Sequence, residues 1–146
     1  MMLNKNQFMK KQILKVITFF YLLVLVSCGS SRTNNPGYES IIGTTINVEN
    51  LEVAQFDFPE QLRCDDAQVE CAKLGNGWRL PTKDELNILY QNRDKIGKFH
   101  NYDYWSSSDC VNESQNNPKS TLDFRNGRQL CYGSAVELWV RAVRSL

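Results

Sequence analysis

The chain has 146 residues, 42% of them hydrophobic and 23% charged, with 17 basic and 16 acidic side chains for a net charge of +1. Near-balanced charge argues against the electrostatic footprint of a nucleic-acid-binding protein, and the length suits a single domain with one core. A single histidine and five cysteines without C-x-x-C spacing leave little material for a metal centre.

In chain order, the first 27 residues read as an export signal. Lys5, Lys10, Lys11 and Lys15 form a basic, acid-free start, and Val16 to Val26 an apolar run too short for a confident membrane span. Met9 opens an equally complete signal. Leu25-Val26-Ser27-Cys28 then has the form of a lipobox, the processing signal of bacterial lipoproteins, with cleavage before Cys28 and acylation of its thiol. Removal of residues 1–27 leaves 13 basic against 16 acidic residues, a net charge of −3. The expected partner of Cys28 is therefore the lipid bilayer, reached through palmitate-type acyl groups. Gly29 supplies no aspartate-type retention signal, which points to the outer membrane, facing the periplasm or the cell surface.

Residues 28–43 are rich in Ser, Asn, Pro and Gly without apolar periodicity and read as a flexible tether, followed by a domain over 44–146. Ile46, Val48, Leu51, Val53, Phe56 and Phe58 predict two short strands, closed by Pro59. Gln61 to Leu74 predicts a helix burying Cys64, Ala67, Cys71 and Leu74, ended by Gly75-Asn76-Gly77. On such a helix Cys64 and Cys71 lie roughly 10 Å apart, beyond disulfide reach. Thr82-Lys83-Asp84-Glu85 is a capping-box pattern opening a second helix that buries Leu86, Leu89 and Tyr90 and ends before Gly97. Four strands follow: Tyr102–Ser108, Thr121–Phe124, Gln129–Tyr132 and an alternating Leu138–Arg144, with Asn126-Gly127 as a hairpin signal and residues 109–119 as a long polar loop. The order ββ-α-α-ββββ predicts an α+β fold with two helices and a small antiparallel sheet.

With Cys28 acylated, Cys64, Cys71, Cys110 and Cys131 remain. An even number in an exported chain points to disulfides, with three possible connectivities. Their spacings, with only His100 beside them, lack the paired pattern of a zinc site, so no metal or cofactor is expected.

Tyr104-Trp105 beside three serines is the strongest sugar-binding pattern, since aromatic faces stack on pyranose rings while hydroxyls and carboxamides orient them. Asp109, Asn112, Glu113 and Asn116 in the adjacent loop supply such polar groups, with Asn117 beside them. The competing reading places Trp105 in the core and leaves the loop solvated. Arg79, Arg141 and Arg144 are read as partners of nearby carboxylates or carbonyls. No nucleophile elbow, metal cluster or phosphate loop is visible, so the chain is expected not to be an enzyme.

Four motifs recur in order: Asn50-Leu51-Glu52-Val53-Ala54, Gly77-Trp78-Arg79-Leu80-Pro81-Thr82-Lys83-Asp84-Glu85-Leu86, Tyr104-Trp105-Ser106-Ser107 and Val140-Arg141-Ala142-Val143-Arg144. Over residues 44–146 the chain resembles the family of the Legionella collagen-like protein C-terminal domain. That resemblance implies a C-type-lectin-like fold, related to sulfatase-modifying enzymes at fold level only, with its binding face at the long loop. It also implies adhesion, since the named member binds sulfated polysaccharides. The expected role is a membrane-anchored lipoprotein whose lectin-like domain binds a glycan or envelope ligand, with a protein-binding structural or assembly lipoprotein as the alternative and an enzyme of the sulfatase-modifying type as the third reading. The chain departs from the family at Cys64, where a tryptophan is common, and at Ala142, where many members carry a cysteine able to pair with the first helix. Cys71 thus loses its implied partner. The expected pairing is Cys110–Cys131, on segments brought close if the strand ending at Ser108 neighbours the 121–132 hairpin.

Overall fold

A computed structural model describes residues 36–146, Glu113 excepted. Cys28 and the export signal lie outside the described residues. In chain order the elements are α1 (Pro36–Ile42), β1 (Ile46–Val48), β2 (Leu51–Val53), β3 (Leu62–Arg63), α2 (Cys64–Lys73), α3 (Lys83–Gln91), α4 (Arg93–Ile96), β4 (Asp103–Asp109), β5 (Pro118–Asp123), β6 (Arg128–Gly133), β7 (Glu137–Leu138) and β8 (Val143–Ser145). The fold is α+β, with three small antiparallel sheets ordered β1-β2-β8, β3-β7 and β4-β5-β6.

Local chemistry accounts for most of these elements. The capping box is complete: Glu85 N donates to Thr82 Oγ1 at 3.2 Å and Thr82 N donates to Glu85 Oε2 at 2.8 Å. The same carboxylate receives both terminal nitrogens of Arg79, at 2.7 and 2.8 Å, so one side chain caps α3 and ties it to the preceding segment. Helix α2 buries Cys64, Ala67 and Cys71 as its spacing predicts. It stops where Gly75, Asn76 and Gly77 all take positive φ, the left-handed geometry that ends a helix.

Arg79 holds the Glu85 carboxyl below the usual glutamate range, with the Thr82 amide assisting. A depressed folded-state pKa contributes stability above the unfolded-state value and loses it as pH falls through the folded one. Glu85→Gln should therefore flatten the decline of the urea midpoint on acidification. An unchanged slope would show that the pair adds nothing.

Four expectations are corrected. The tether does not run to residue 43: Pro36–Ile42 is helical, Ile41 is buried in the core, and Tyr38 donates its hydroxyl to Glu70 at 3.1 Å. Carbonyls of Ile41 and Ile42 accept from the Phe56 and Gln55 amides, so α1 belongs to the domain. The helix expected from Gln61 begins only at Cys64, because Leu62–Arg63 pairs with β7. The second helix breaks at Asn92 into α3 and α4, giving four helices among the described residues.

The fourth correction concerns residues 138–144. Leu138, Val140 and Ala142 are buried as alternation predicts, but Arg141 and Val143 are buried too. Instead of one strand with a wet face, this segment runs between neighbours on both sides. Glu137–Leu138 pairs with β3; Trp139 exchanges backbone bonds with the start of β4; Val140 and Ala142 carbonyls accept from Phe58 and Ala54; Val143 bridges Arg79 before β8 joins β2. It is the seam joining the three sheets.

Two buried clusters flank this seam. One gathers Cys64, Cys71, Trp78, Leu80, Trp105 and Val140; the other gathers Leu51, Leu86, Leu89, Tyr104, Leu122 and Phe124. Burial pushes the Cys71 thiol up to about 12 and raises Cys64 as well, so both stay protonated, and neither forms a disulfide.

Candidate binding face

The β4-β5-β6 sheet carries the long loop. Cys110, just after β4, is disulfide-bonded to Cys131 on β6 across 6.1 Å between Cα atoms, the expected pairing. Asp109 forms an ion pair with Lys119, and Cys110 N donates to Pro118 O at 3.2 Å, closing the loop's base. Inside it, Asn112 Oδ1 accepts from the Ser114 amide at 3.2 Å and hydroxyl at 2.7 Å, a short side-chain-to-backbone turn. Asn116 O accepts from Ser134 N at 3.4 Å, tying the loop to the end of β6.

This bracing leaves an open groove lined by Arg63, Gln115, Asn116 and residues 133–136. Three of its residues set its chemistry. Arg63 is exposed and has no ion-pair or hydrogen-bond partner for its guanidinium among the described residues. Gln115 lines the groove with its Oε1 buried and without a donor among the described residues. Val136, 40% exposed, adds apolar surface to the groove.

The structure separates the predicted site residues. Asn116 lines the groove; Asn112 is spent within the loop; Asp109 is exposed but engaged with Lys119. Glu113 lies outside the described residues. Tyr104 and Trp105 are corrected outright, because both are 0% exposed and offer no ring to a sugar. Successive strand residues point to opposite faces, and here both faces are covered. Trp105 enters one core cluster and donates Nε1–H to Leu62 O at 2.8 Å; Tyr104 enters the other. Ser106 is buried as well, its hydroxyl donating to Ser120 O at 2.6 Å.

Tyr104 leads instead to a polar hub that the sequence concealed. Its hydroxyl donates to Asp57 Oδ2 at 2.5 Å and accepts from His100 N at 2.7 Å. Burial, with the Asp57 carboxylate beside it, pushes the phenol pKa well above its ordinary value. Asp57 also meets His100 Nδ1 at 2.8 Å and Arg141 Nε at 2.6 Å. Arg141, 0% exposed, further donates to the carbonyls of Ala54 at 3.2 Å and Lys98 at 2.8 Å and lies over the Phe99 ring. His100 stacks on Trp139 with ring centroids 3.6 Å apart. The hub locks residues 54–58, 97–104 and 139–141 together. A signal for it was present: an aspartate inside Phe56-Asp57-Phe58, where an apolar run leaves a charge needing a buried partner. Arg63, Gln115 and Ser134 carried no comparable signal.

No family model matches the chain, and no curated protein matches it. Among solved structures, the chain is similar to botrocetin, with a TM-score of 0.53 at 12% identity over 70% of this chain and 96% of that one. A complex of a von Willebrand factor A1 domain mutant with botrocetin gives a TM-score of 0.50 at 13% identity, again over 70% and 96%. The fold is C-type-lectin-like.

Proposed function

We propose that this chain is an envelope lipoprotein that presents its C-type-lectin-like domain as a non-catalytic binding module, with a protein as the ligand of the groove beside the disulfide-braced loop. The lipobox at Leu25–Cys28 supports the anchor and an outer-membrane address, and residues 29–35 serve as the tether. The observation that carries the binding reading is the groove itself: an exposed guanidinium without a partner among the described residues and the exposed Val136 side chain line one open face beside the braced loop. Its described lining includes no aromatic ring, since Tyr104 and Trp105 are buried, and this favours a protein over a polysaccharide. The botrocetin complex is of a lectin-like neighbour with a protein. The glycan reading draws on the resemblance to the Legionella collagen-like protein C-terminal domain and remains the second reading.

Two measurements test the proposal. Cys28→Ala should abolish palmitate labelling of the chain in cells; retained labelling refutes the anchor. A photo-crosslinking residue at Val136 should give a discrete, protease-sensitive adduct in intact cells, lost with Arg63→Glu, whereas the same residue at exposed Val69 on α2 should not. Equal adducts at both positions, or none at Val136 alongside binding on a glycan array, would overturn the protein reading.

A further inference from the structure

Strand β6 is the open margin of its sheet. In the order β4-β5-β6 it pairs only with β5 among the described residues, through six consecutive positions without a bulge. It contains no proline and no lysine, and none of its residues is fully buried. Such a margin presents a row of backbone N–H and C=O groups, a template for one more strand. Proteins usually blunt an edge of this kind with a bulge, proline, lysine or covering segment; here the regular register is held by the Cys131 disulfide.

Charge selects the occupant. Arg128 opens β6, exposed, with no partner for its guanidinium among the described residues. At the other end the strand runs through Gly133 into the groove that holds Arg63. From Arg128 to the groove is roughly 20 Å of extended chain. We infer that the β6 edge and the loop groove form one continuous site that binds an extended acidic peptide by strand addition, with carboxylates of the ligand meeting Arg128 and Arg63. This rests on the binding reading of the groove and specifies its partner. Backbone bonds along β6 supply affinity without regard to sequence, and the two arginines supply charge selection. A second copy of the chain is disfavoured as occupant. Antiparallel pairing of β6 with itself about a two-fold axis places Arg128 of each copy beside the Arg63 groove of the other, so like charges meet at both ends.

The test uses the acylated full chain in detergent micelles and an octapeptide of alternating threonine and valine with glutamate at both ends. Hydrogen–deuterium exchange should show protection of residues 128–136 on peptide addition. A lysine-ended version should bind roughly five- to tenfold more weakly, and a version with a central proline should protect β6 less. The double variant Arg63→Glu/Arg128→Glu should invert the preference, favouring the lysine-ended peptide. Inversion also shows that the variant is folded. Protection confined to residues 133–136 and 115–116 would overturn strand addition while leaving the groove as a binding site. No protection in either region would overturn both readings. Protection of β6 that grows with protein concentration and needs no peptide would assign the edge to self-pairing and overturn the inference. Equal binding of both charged peptides would remove the arginine selection on which it depends.

Discussion

Replacing Arg141 with methionine should cost the domain about 3–5 kcal/mol of stability. The guanidinium is fully buried and donates to Asp57, itself 9% exposed. Without it, a carboxylate held between Tyr104 and His100 loses the permanent charge that offsets its removal from water, and the Ala54 and Lys98 carbonyls lose their donor. Breaking a buried ion pair from one side costs far more than the pair contributes, because desolvation of the remaining charge stays unopposed. A domain of this size has only about 5–15 kcal/mol in hand, so this one change removes a large share. Arg141→Lys should also destabilise, since an ammonium cannot reproduce a planar fork reaching a carboxylate and separate carbonyls. Adding Asp57→Asn to Arg141→Met should recover part of the loss by removing the stranded charge. Urea unfolding of the four proteins measures this. A double variant no more stable than Arg141→Met alone would show that carbonyl bonding or packing, and not the charge pair, gives Arg141 its weight.

Trp105→Ala should produce a loss of similar size, about 3–5 kcal/mol. The indole is completely buried between α2, Trp78 and the 138–142 seam, and its truncation leaves a cavity that rigid sheet neighbours close only in part. Trp105→Phe should cost less. It keeps much of the packing but leaves the Leu62 carbonyl without its 2.8 Å donor, a penalty of about 1–3 kcal/mol. The two variants distinguish a core residue from a ligand-stacking one. Falling stability with unchanged ligand affinity of the folded fraction agrees with burial. Normal stability with a selective loss of polysaccharide binding would restore Trp105 as an exposed platform and overturn its placement here.

Residues whose partners lie close in sequence were legible before the fold was known. Thr82 and Glu85 are three apart and cap one helix; Gly75-Asn76-Gly77 stop another within a single turn. The hairpin at Asn126-Gly127 was legible too, although its turn has four residues between the last paired positions, Asp123 and Arg128. There the Asp123 carboxylate accepts from the Arg125 amide and guanidinium and from the Asn126 side chain, and only Gly127 takes positive φ. For the binding face, the loop half was visible as a polar stretch that includes Asn116. The other half, Arg63 and residues 133–136, comes from a strand end and a turn far along the chain.

The sequence by itself determined the α+β order, the cap of α3, the stop of α2 and the buried face of α2. All are set by interactions within a few residues, where spacing maps directly onto geometry. Only the tertiary structure decided which side of each strand meets a second layer. A tryptophan alternating along β4 has the same pattern whether its face is wet or covered, and at Trp105 it is covered. It decided equally that Arg141 meets Asp57 across 84 positions, and that 138–144 is a seam instead of a surface strand. Periodicity records that a residue is apolar; the identity of what lies against it depends on chain closure over long separations, which no local pattern encodes.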